Sequence, residues 1–153
     1  MVKVLIVYYS MFGNTKKIAE SLAEGLRSGG VDSSVVKAEV VRFDELCEFD
    51  LLCVGSPVHA WSVSKPVEEF LERLKSVKDL SGKKAFAFDT KMKSRFAGSA
   101  GGKIERKLKD LGLTIAKPSE SAIVKDREGP LEEDAEETFK QIGTELAKML
   151  QSN

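Results

Sequence analysis

The fold is decided by the stretch VKVLIVYYSMFGNT at residues 2–15. Residues 2–9 are apolar except for Lys3, so this segment has no polar face. Strands that are apolar on both faces are typical of a parallel sheet with helices on both sides. Residues 10–15 then form a short loop, and a helical pattern starts at Asn14. We therefore predict a buried strand, a loop, and a helix whose N-terminus closes that loop.

The rest of the chain repeats this alternation. Ile18, Leu22 and Leu26 recur at four-residue spacing, which predicts a helix that stops at Gly29 and Gly30. Strands are predicted at residues 2–9, 31–36, 49–55, 84–89 and 113–124, and three further helices begin near residues 65, 103 and 134. Alternating strands and helices indicate a doubly wound α/β fold, which we expect to form a single domain over residues 1–153.

Composition excludes several classes of protein. The 24 basic and 24 acidic residues cancel, so there is no basic field for nucleic acid and no acidic field for a cationic partner. The two cysteines are typical of a reduced protein rather than of a disulfide framework. Because we find neither a signal-peptide cleavage pattern nor an apolar run long enough to span a membrane, we expect a cytoplasmic protein.

The loop at residues 10–15 has the chemistry of a monophosphate site. Ser10, Asn14 and Thr15 offer neutral donors, Gly13 permits a tight turn, and the backbone amides would face an anion at the positive end of the helix dipole. The glycine patterns of dinucleotide and triphosphate loops are absent here. The acidic pair of a phospho-acceptor domain and the cysteine of a thiol phosphatase are also missing from this region. The alternative is that Asn14 only caps the helix and that the two hydroxyls are solvated.

Two further long loops follow predicted strands, at residues 56–64 and 90–102. In open parallel sheets, ligands bind at the carboxyl edge, where the strand order reverses. If the first strand is central, these two loops meet the loop at residues 10–15. We therefore expect the three loops to form one site.

With its apolar first strand, the motif Ser10-x-Phe12-Gly13-Asn14-Thr15 resembles the flavodoxin family, as do residues 55–57 (GSP) after the third strand and Asp89-Thr90 after the fourth. The resemblance implies a five-stranded parallel sheet of order 2-1-3-4-5 and a bound FMN. Its phosphate would lie on residues 10–15 and its ring between residues 56–61 and 89–99. The residues implied to bind FMN are Ser10, Met11, Phe12, Gly13, Asn14, Thr15, Ser56, Pro57, Val58, His59, Ala60, Trp61, Asp89, Thr90, Lys91, Phe96, Gly98 and Ser99.

The resemblance implies an electron carrier that docks transiently on redox proteins, as a monomer or a dimer. Departures from the family pattern keep a second class open, a small FMN-dependent oxidoreductase acting on a quinone or a porphyrinogen-like substrate. His59 takes the position of an aromatic ring-stacking residue, where it could shuttle a proton or simply cover the ring edge. A third class is a binding module that has lost its flavin.

The strand-four loop carries Lys91, Lys93 and Arg95, whereas carriers of this family are usually acidic. If these side chains point inward, they would stabilise the anionic reduced flavin and raise its potential. The alternative is that all three are solvated surface charges.

Overall fold

A computed structural model describes residues 2–59, 62–93 and 99–152, apart from the side chain of His59. Strand β1, Lys3–Tyr8, lies inside the sheet, with β2, Asp32–Lys37, on one side and β3, Leu51–His59, on the other. Both pairings are parallel, with Ile6 opposite Val35 in β2 and opposite Cys53 in β3. The predicted position of the first strand is therefore confirmed.

The absence of a polar face on β1 is explained by burial on both sides. Val4, Ile6 and Tyr8 belong to one apolar cluster, and Leu5 and Val7 belong to a second cluster on the other face of the sheet. Burying an aliphatic side chain of this size contributes roughly 1.5–3 kcal/mol. Both faces of β1 thus contribute to the core, and a polar residue on either face would lower the free energy of unfolding.

The remaining strands extend the sheet beyond β3. The short strand β4, Ser62–Val63, pairs antiparallel with the end of β3, and β5, Lys84–Met92, pairs parallel with β3 along its length. Strands β6, Thr114–Ile115, and β7, Glu120–Val124, both pair parallel with β5. The doubly wound sheet and its strand order are as expected.

Within the described part of the chain the sheet has seven strands, where five were expected. The predicted fifth strand, residues 113–124, is interrupted between β6 and β7. Pro118 lies in the interruption and has no N–H to donate to the ladder, which explains the gap. The other additional strand is β4, whose two residues fold back against β3.

Helices cover both faces of the sheet. They are α1, Asn14–Ser28, α2, Lys65–Leu74, α3, Gly101–Asp110, and α4, Ala135–Gln151. The first apolar cluster lies under α1 and α4, and the second lies under α2 and α3. Two 3₁₀ segments, Ala38–Val40 and Phe43–Glu48, connect β2 to β3. Among the described residues, no helix combines the length and apolar character that crossing a membrane requires.

Helices α1 and α4 approach closely because each has a glycine at the crossing. A Cβ atom added to Gly25 would lie 2.0 Å from the carbonyl oxygen of Lys140. One added to Gly143 would lie 2.4 Å from the carbonyl oxygen of Leu22. Both obstacles are backbone atoms, so the helices would have to separate to accept a side chain.

We expect Gly25→Ala to lower the free energy of unfolding by about 1–3 kcal/mol, because it overpacks this crossing. Urea denaturation followed by circular dichroism measures the change. Gly102→Ala in α3 is the matched control, since its Cβ would meet only the Ser99 hydroxyl, at 3.5 Å. The control should be neutral or stabilising by up to about 1 kcal/mol. Equal stability of the two variants would contradict the proposed close approach.

Candidate functional site

A cavity of about 370 Å³ opens at the carboxyl edge of the sheet. Its walls come from the loop after β1, the ends of β3 and β5, and the end of β7 with the turn that follows. This volume lies within the usual range of small-molecule sites. The lining residues are Ser10, Met11, Phe12, Asn14, Thr15, Pro57, Val58, Thr90, Lys91, Met92, Val124 and Arg127.

The loop after β1 leaves the start of α1 open to the cavity. Gly13 takes a left-handed conformation, with φ of 92°, and its N–H donates to Ser10 Oγ at 3.0 Å. The first backbone N–H groups of an α-helix have no partner within the helix. Among the described residues, no side chain caps the start of α1. Asn14 is the first helical residue and its Nδ2 donates instead to the carbonyl oxygen of Glu128, at 3.1 Å. The alternative in which Asn14 only caps the helix is therefore wrong.

The first turn of α1 contains no acidic residue and instead carries Lys16 and Lys17, both exposed. Positive side chains at this end oppose the helix dipole, which favours anions there. Helix α4, by contrast, has Glu136 and Glu137 in its first turn. The start of α1 thus concentrates positive potential beside the cavity.

Two buried hydroxyls join the first loop to β5. Thr15 Oγ1 and Thr90 Oγ1 lie 2.7 Å apart, and the two residues are 1% and 4% exposed. Only one of the two hydroxyl hydrogens is used in the bond between them. The pair can therefore donate the other hydrogen to a ligand, because both residues line the cavity.

Ser56 fastens the second loop. Its hydroxyl donates to the carbonyl oxygen of Pro57 at 2.7 Å, accepts from the backbone N–H of Ser64 at 3.0 Å, and lies 2.8 Å from Ser64 Oγ. This contact closes residues 56–64 into a loop. Pro57 and Val58, rather than Ser56, line the cavity.

Asp89 fastens the third loop. Its fully buried carboxylate accepts, at Oδ2, the N–H groups of Ala100 and Gly101 at 3.0 and 2.9 Å, and the hydroxyl of Ser99 at 3.4 Å. Asp89 thereby satisfies free donors at the start of α3. Its Oδ1 has no hydrogen-bond partner among the described residues. Neither Asp89 nor Ser99 is among the residues that line the cavity.

Some of the expected site residues fall outside the described part of the chain. They are Ala60, Trp61, Phe96 and Gly98, and the side chain of His59. Arg95 is outside it as well. Gly13 shapes the first loop without lining the cavity. Ser56, Asp89 and Ser99 also lie outside the lining, and most of the other expected residues that the structure describes line the cavity.

The structure adds Met92, Val124 and Arg127 to the expected lining. Met92 is the last residue of β5 and comes directly after Thr90 and Lys91. Val124 and Arg127 belong to the end of β7 and the turn after it, a region that the sequence marks only as strand and turn. No motif identifies them, because their approach to the cavity depends on how the turn folds back on α1.

The cavity lining carries positive charge. Lys91 and Arg127 are its ionisable members, and no carboxylate is found among the described lining residues. Lys93 is exposed and does not line the cavity. Of these two lysines only Lys91 lines the cavity, so the hypothesis of an inward-facing cation stays a prediction for Lys91.

Thiol chemistry has no place at this site. Cys53 is buried in β3, and burial raises the pKa of its thiol far above the usual range, so that it stays protonated. Cys47 is exposed on the 3₁₀ segment Phe43–Glu48, away from the cavity lining.

Burial, together with the carboxylates of Glu20 and Glu39, raises the pKa of the Tyr8 hydroxyl, which therefore stays neutral.

Curated relatives match part of the chain. It is 35% identical to a flavodoxin of Clostridium beijerinckii, over 54% of this chain and 60% of that protein. It is 27% identical to an NAD(P)H dehydrogenase (quinone) of Archaeoglobus fulgidus, over 58% of this chain and 61% of that protein. The chain therefore spans about three fifths of the length of these two relatives.

Solved structures match nearly the whole chain. A flavodoxin from the domain Archaea superposes with a TM-score of 0.82 at 27% identity, covering 99% of this chain and 100% of that one. Flavodoxin 2 of Bacillus cereus gives a TM-score of 0.84 at 23% identity, over 97% and 99% of the two chains, and so bears on the fold alone. A sequence model of the family named Flavodoxin matches residues 6–142. This match covers most of the chain, and the protein belongs to the flavodoxin family.

Proposed function

We propose that this chain binds FMN in the cavity and carries one or two electrons between redox partners. FMN is the cofactor of the flavodoxin family. The observation that carries the proposal is the uncapped start of α1, whose free backbone N–H groups border a cavity of suitable size. Such a helix start binds a phosphate through its amides and its dipole.

The residues present suit FMN. The first loop offers Ser10, the backbone amides that follow Gly13, and the spare hydrogen of the Thr15–Thr90 pair to a phosphate. Met11, Phe12 and Met92 are exposed by 49%, 43% and 40%, and they give the cavity an apolar rim suited to a planar ring. FMN supplies the redox chemistry, because its ring accepts and releases one or two electrons. The chain's part is to hold the phosphate, cover the ring and set the surrounding charge.

Of the expected cofactor residues, Ser56, Asp89 and Ser99 have indirect roles in this proposal. Their hydrogen bonds fasten the two loops and the start of α3. The Oδ2 atom of Asp89 accepts from the backbone of α3, so we do not place this side chain against the ring. His59, Ala60, Trp61, Phe96 and Gly98 remain proposed ring contacts.

A second candidate function is an FMN-dependent oxidoreductase that passes electrons to a quinone-like or porphyrinogen-like molecule. Two observations favour it. The cavity lining carries Lys91 and Arg127 instead of carboxylates, and one relative is named an NAD(P)H dehydrogenase (quinone). Positive charge stabilises a reduced anionic flavin and so raises its potential. A redox titration followed by assays with NAD(P)H and quinones separates the two: a low potential without turnover supports the carrier, and turnover supports the oxidoreductase.

The remaining features of the proposal concern the setting of the protein. We propose that it acts in the cytoplasm as one flavodoxin domain over residues 1–153, either as a monomer or as a dimer. Its proposed partners are redox proteins that dock transiently at the cavity mouth. The near-absence of net charge disfavours nucleic acid as a partner.

We expect the purified chain to be yellow and to bind FMN much more tightly than riboflavin, because only FMN carries the phosphate. Fluorescence titration of the flavin-free protein with each flavin gives the two dissociation constants. Equal constants would refute the phosphate site at the start of α1.

We expect Thr15→Val to weaken FMN binding by about 1.5–3 kcal/mol, the usual value of a hydrogen bond to a charged group. The same change leaves the Thr90 hydroxyl buried without its partner, so the flavin-free protein should also lose about 1–3 kcal/mol of stability. Flavin titration and urea denaturation measure the two effects separately. Thr15→Ser, which keeps the hydroxyl, is the control and should bind FMN nearly normally. A folded Thr15→Val protein with an unchanged dissociation constant would remove Thr15 from the site.

We expect Lys91→Gln to lower the reduction potential of the bound flavin. A cation about 8 Å from a negative charge contributes about 2 kcal/mol at an effective dielectric constant of 20, equivalent to roughly 90 mV for one electron. Lys93→Gln is the control on the same segment, and its effect should be clearly smaller because Lys93 is exposed outside the cavity. Equal shifts in the two variants would mean that only distant surface charge matters.

A further inference from the structure

The turn between β7 and α4, residues 125–131, is a well-formed hairpin rather than a loose connection. The N–H of Lys125 donates to the carbonyl oxygen of Pro130 at 2.8 Å, and the N–H of Gly129 donates to that of Asp126 at 3.0 Å. Val124 and Leu131 form an antiparallel bridge at its base. These bonds fix the direction in which the tip of the hairpin projects.

The hairpin is fastened to the first turn of α1. Asn14 Nδ2 donates to the carbonyl oxygen of Glu128 at 3.1 Å. Gly129, with φ of 110°, allows this approach: a Cβ atom there would lie 2.8 Å from Asn14 Oδ1. Arg127, the residue just before Glu128, is therefore held close to the loop that we assign to the phosphate.

Arg127 lines the cavity together with Ser10, Asn14 and Thr15. No carboxylate in the described part of the chain forms an ion pair with its guanidinium. The neighbouring Asp126 carboxylate accepts the backbone N–H of Arg127 at 2.7 Å. The other cation of the hairpin, Lys125, is already paired with Glu133. Arg127 is thus the hairpin cation that lines the cavity and forms no ion pair with a described residue.

We propose that Arg127 binds the phosphate of FMN and gives this phosphate site a positive side-chain charge. The inference rests on the proposed function. The side-chain donors of the first loop are neutral, whereas a phosphate monoester carries a charge of about −1.5 to −2 at pH 7. A guanidinium can meet two phosphate oxygens at once, which adds both energy and geometric selection. Arg127 would therefore help the chain to select phosphorylated flavin over riboflavin.

The test compares the binding of FMN and riboflavin to the full chain and to Arg127→Gln. We expect the variant to bind FMN about two- to fivefold more weakly, the scale of an exposed ion pair, with riboflavin binding nearly unchanged. Raising the salt concentration should weaken FMN binding less in the variant than in the unaltered chain. Arg127→Lys should recover part of the loss, because it keeps the charge but not the two-pronged geometry.

Two controls test the assigned position. Glu128→Gln changes the charge of the adjacent residue but leaves the backbone carbonyl that holds Asn14, so it should alter the ratio of FMN to riboflavin affinity much less. The reduction potential should shift less in Arg127→Gln than in Lys91→Gln, because the charge of the phosphate does not change on reduction. A larger potential shift, or an equal loss of affinity for both flavins, would overturn the phosphate assignment.

The outcomes also distinguish this inference from the proposal on which it rests. If the unaltered chain binds no FMN, the proposed function fails and the inference fails with it. If the chain binds FMN and Arg127→Gln binds it equally well, only the inference is overturned.

Discussion

Burial of β1 on both faces is the constraint on which the rest of the structure depends. Because alternate side chains of β1 enter two different apolar clusters, helices must cover both sides of the sheet. Parallel neighbours on each side then require crossover connections, so the loops after β1, β3 and β5 lie at one edge. The cavity is a consequence of this arrangement.

Side chains that hold the edge together differ from those that face the cavity. Ser56 and Asp89 are buried and use their oxygens on backbone and hydroxyl groups of their own loops. Their loops are thereby held in position, whereas Thr90, Lys91 and Arg127 line the cavity. A list of residues drawn from loop positions alone mixes these two groups. Only the hydrogen-bond partners separate them.

The sequence was sufficient for features that follow from local pattern. The apolar run of β1 and the spacing of Ile18, Leu22 and Leu26 each predict an element that the structure contains. The features that were not predicted depend on tertiary contact or on a single residue within an element. Pro118 interrupts the last strand, and Arg127 lines the cavity on a hairpin that a hydrogen bond joins to Asn14. Neither hydrophobic period nor motif spacing carries that information.

The lysines in the first turn of α1 bear on the abundance of the protein in the cell. Lys16 and Lys17 oppose the helix dipole, so the flavin-free chain retains unfavourable electrostatic energy at the start of its first helix. An anion there relieves it, and any ligand that binds only the folded state stabilises that state by mass action. Under the proposed function, the fraction of chain exposed to proteases then depends on the supply of flavin. The abundance of the protein would follow the availability of its cofactor, without any dedicated regulator.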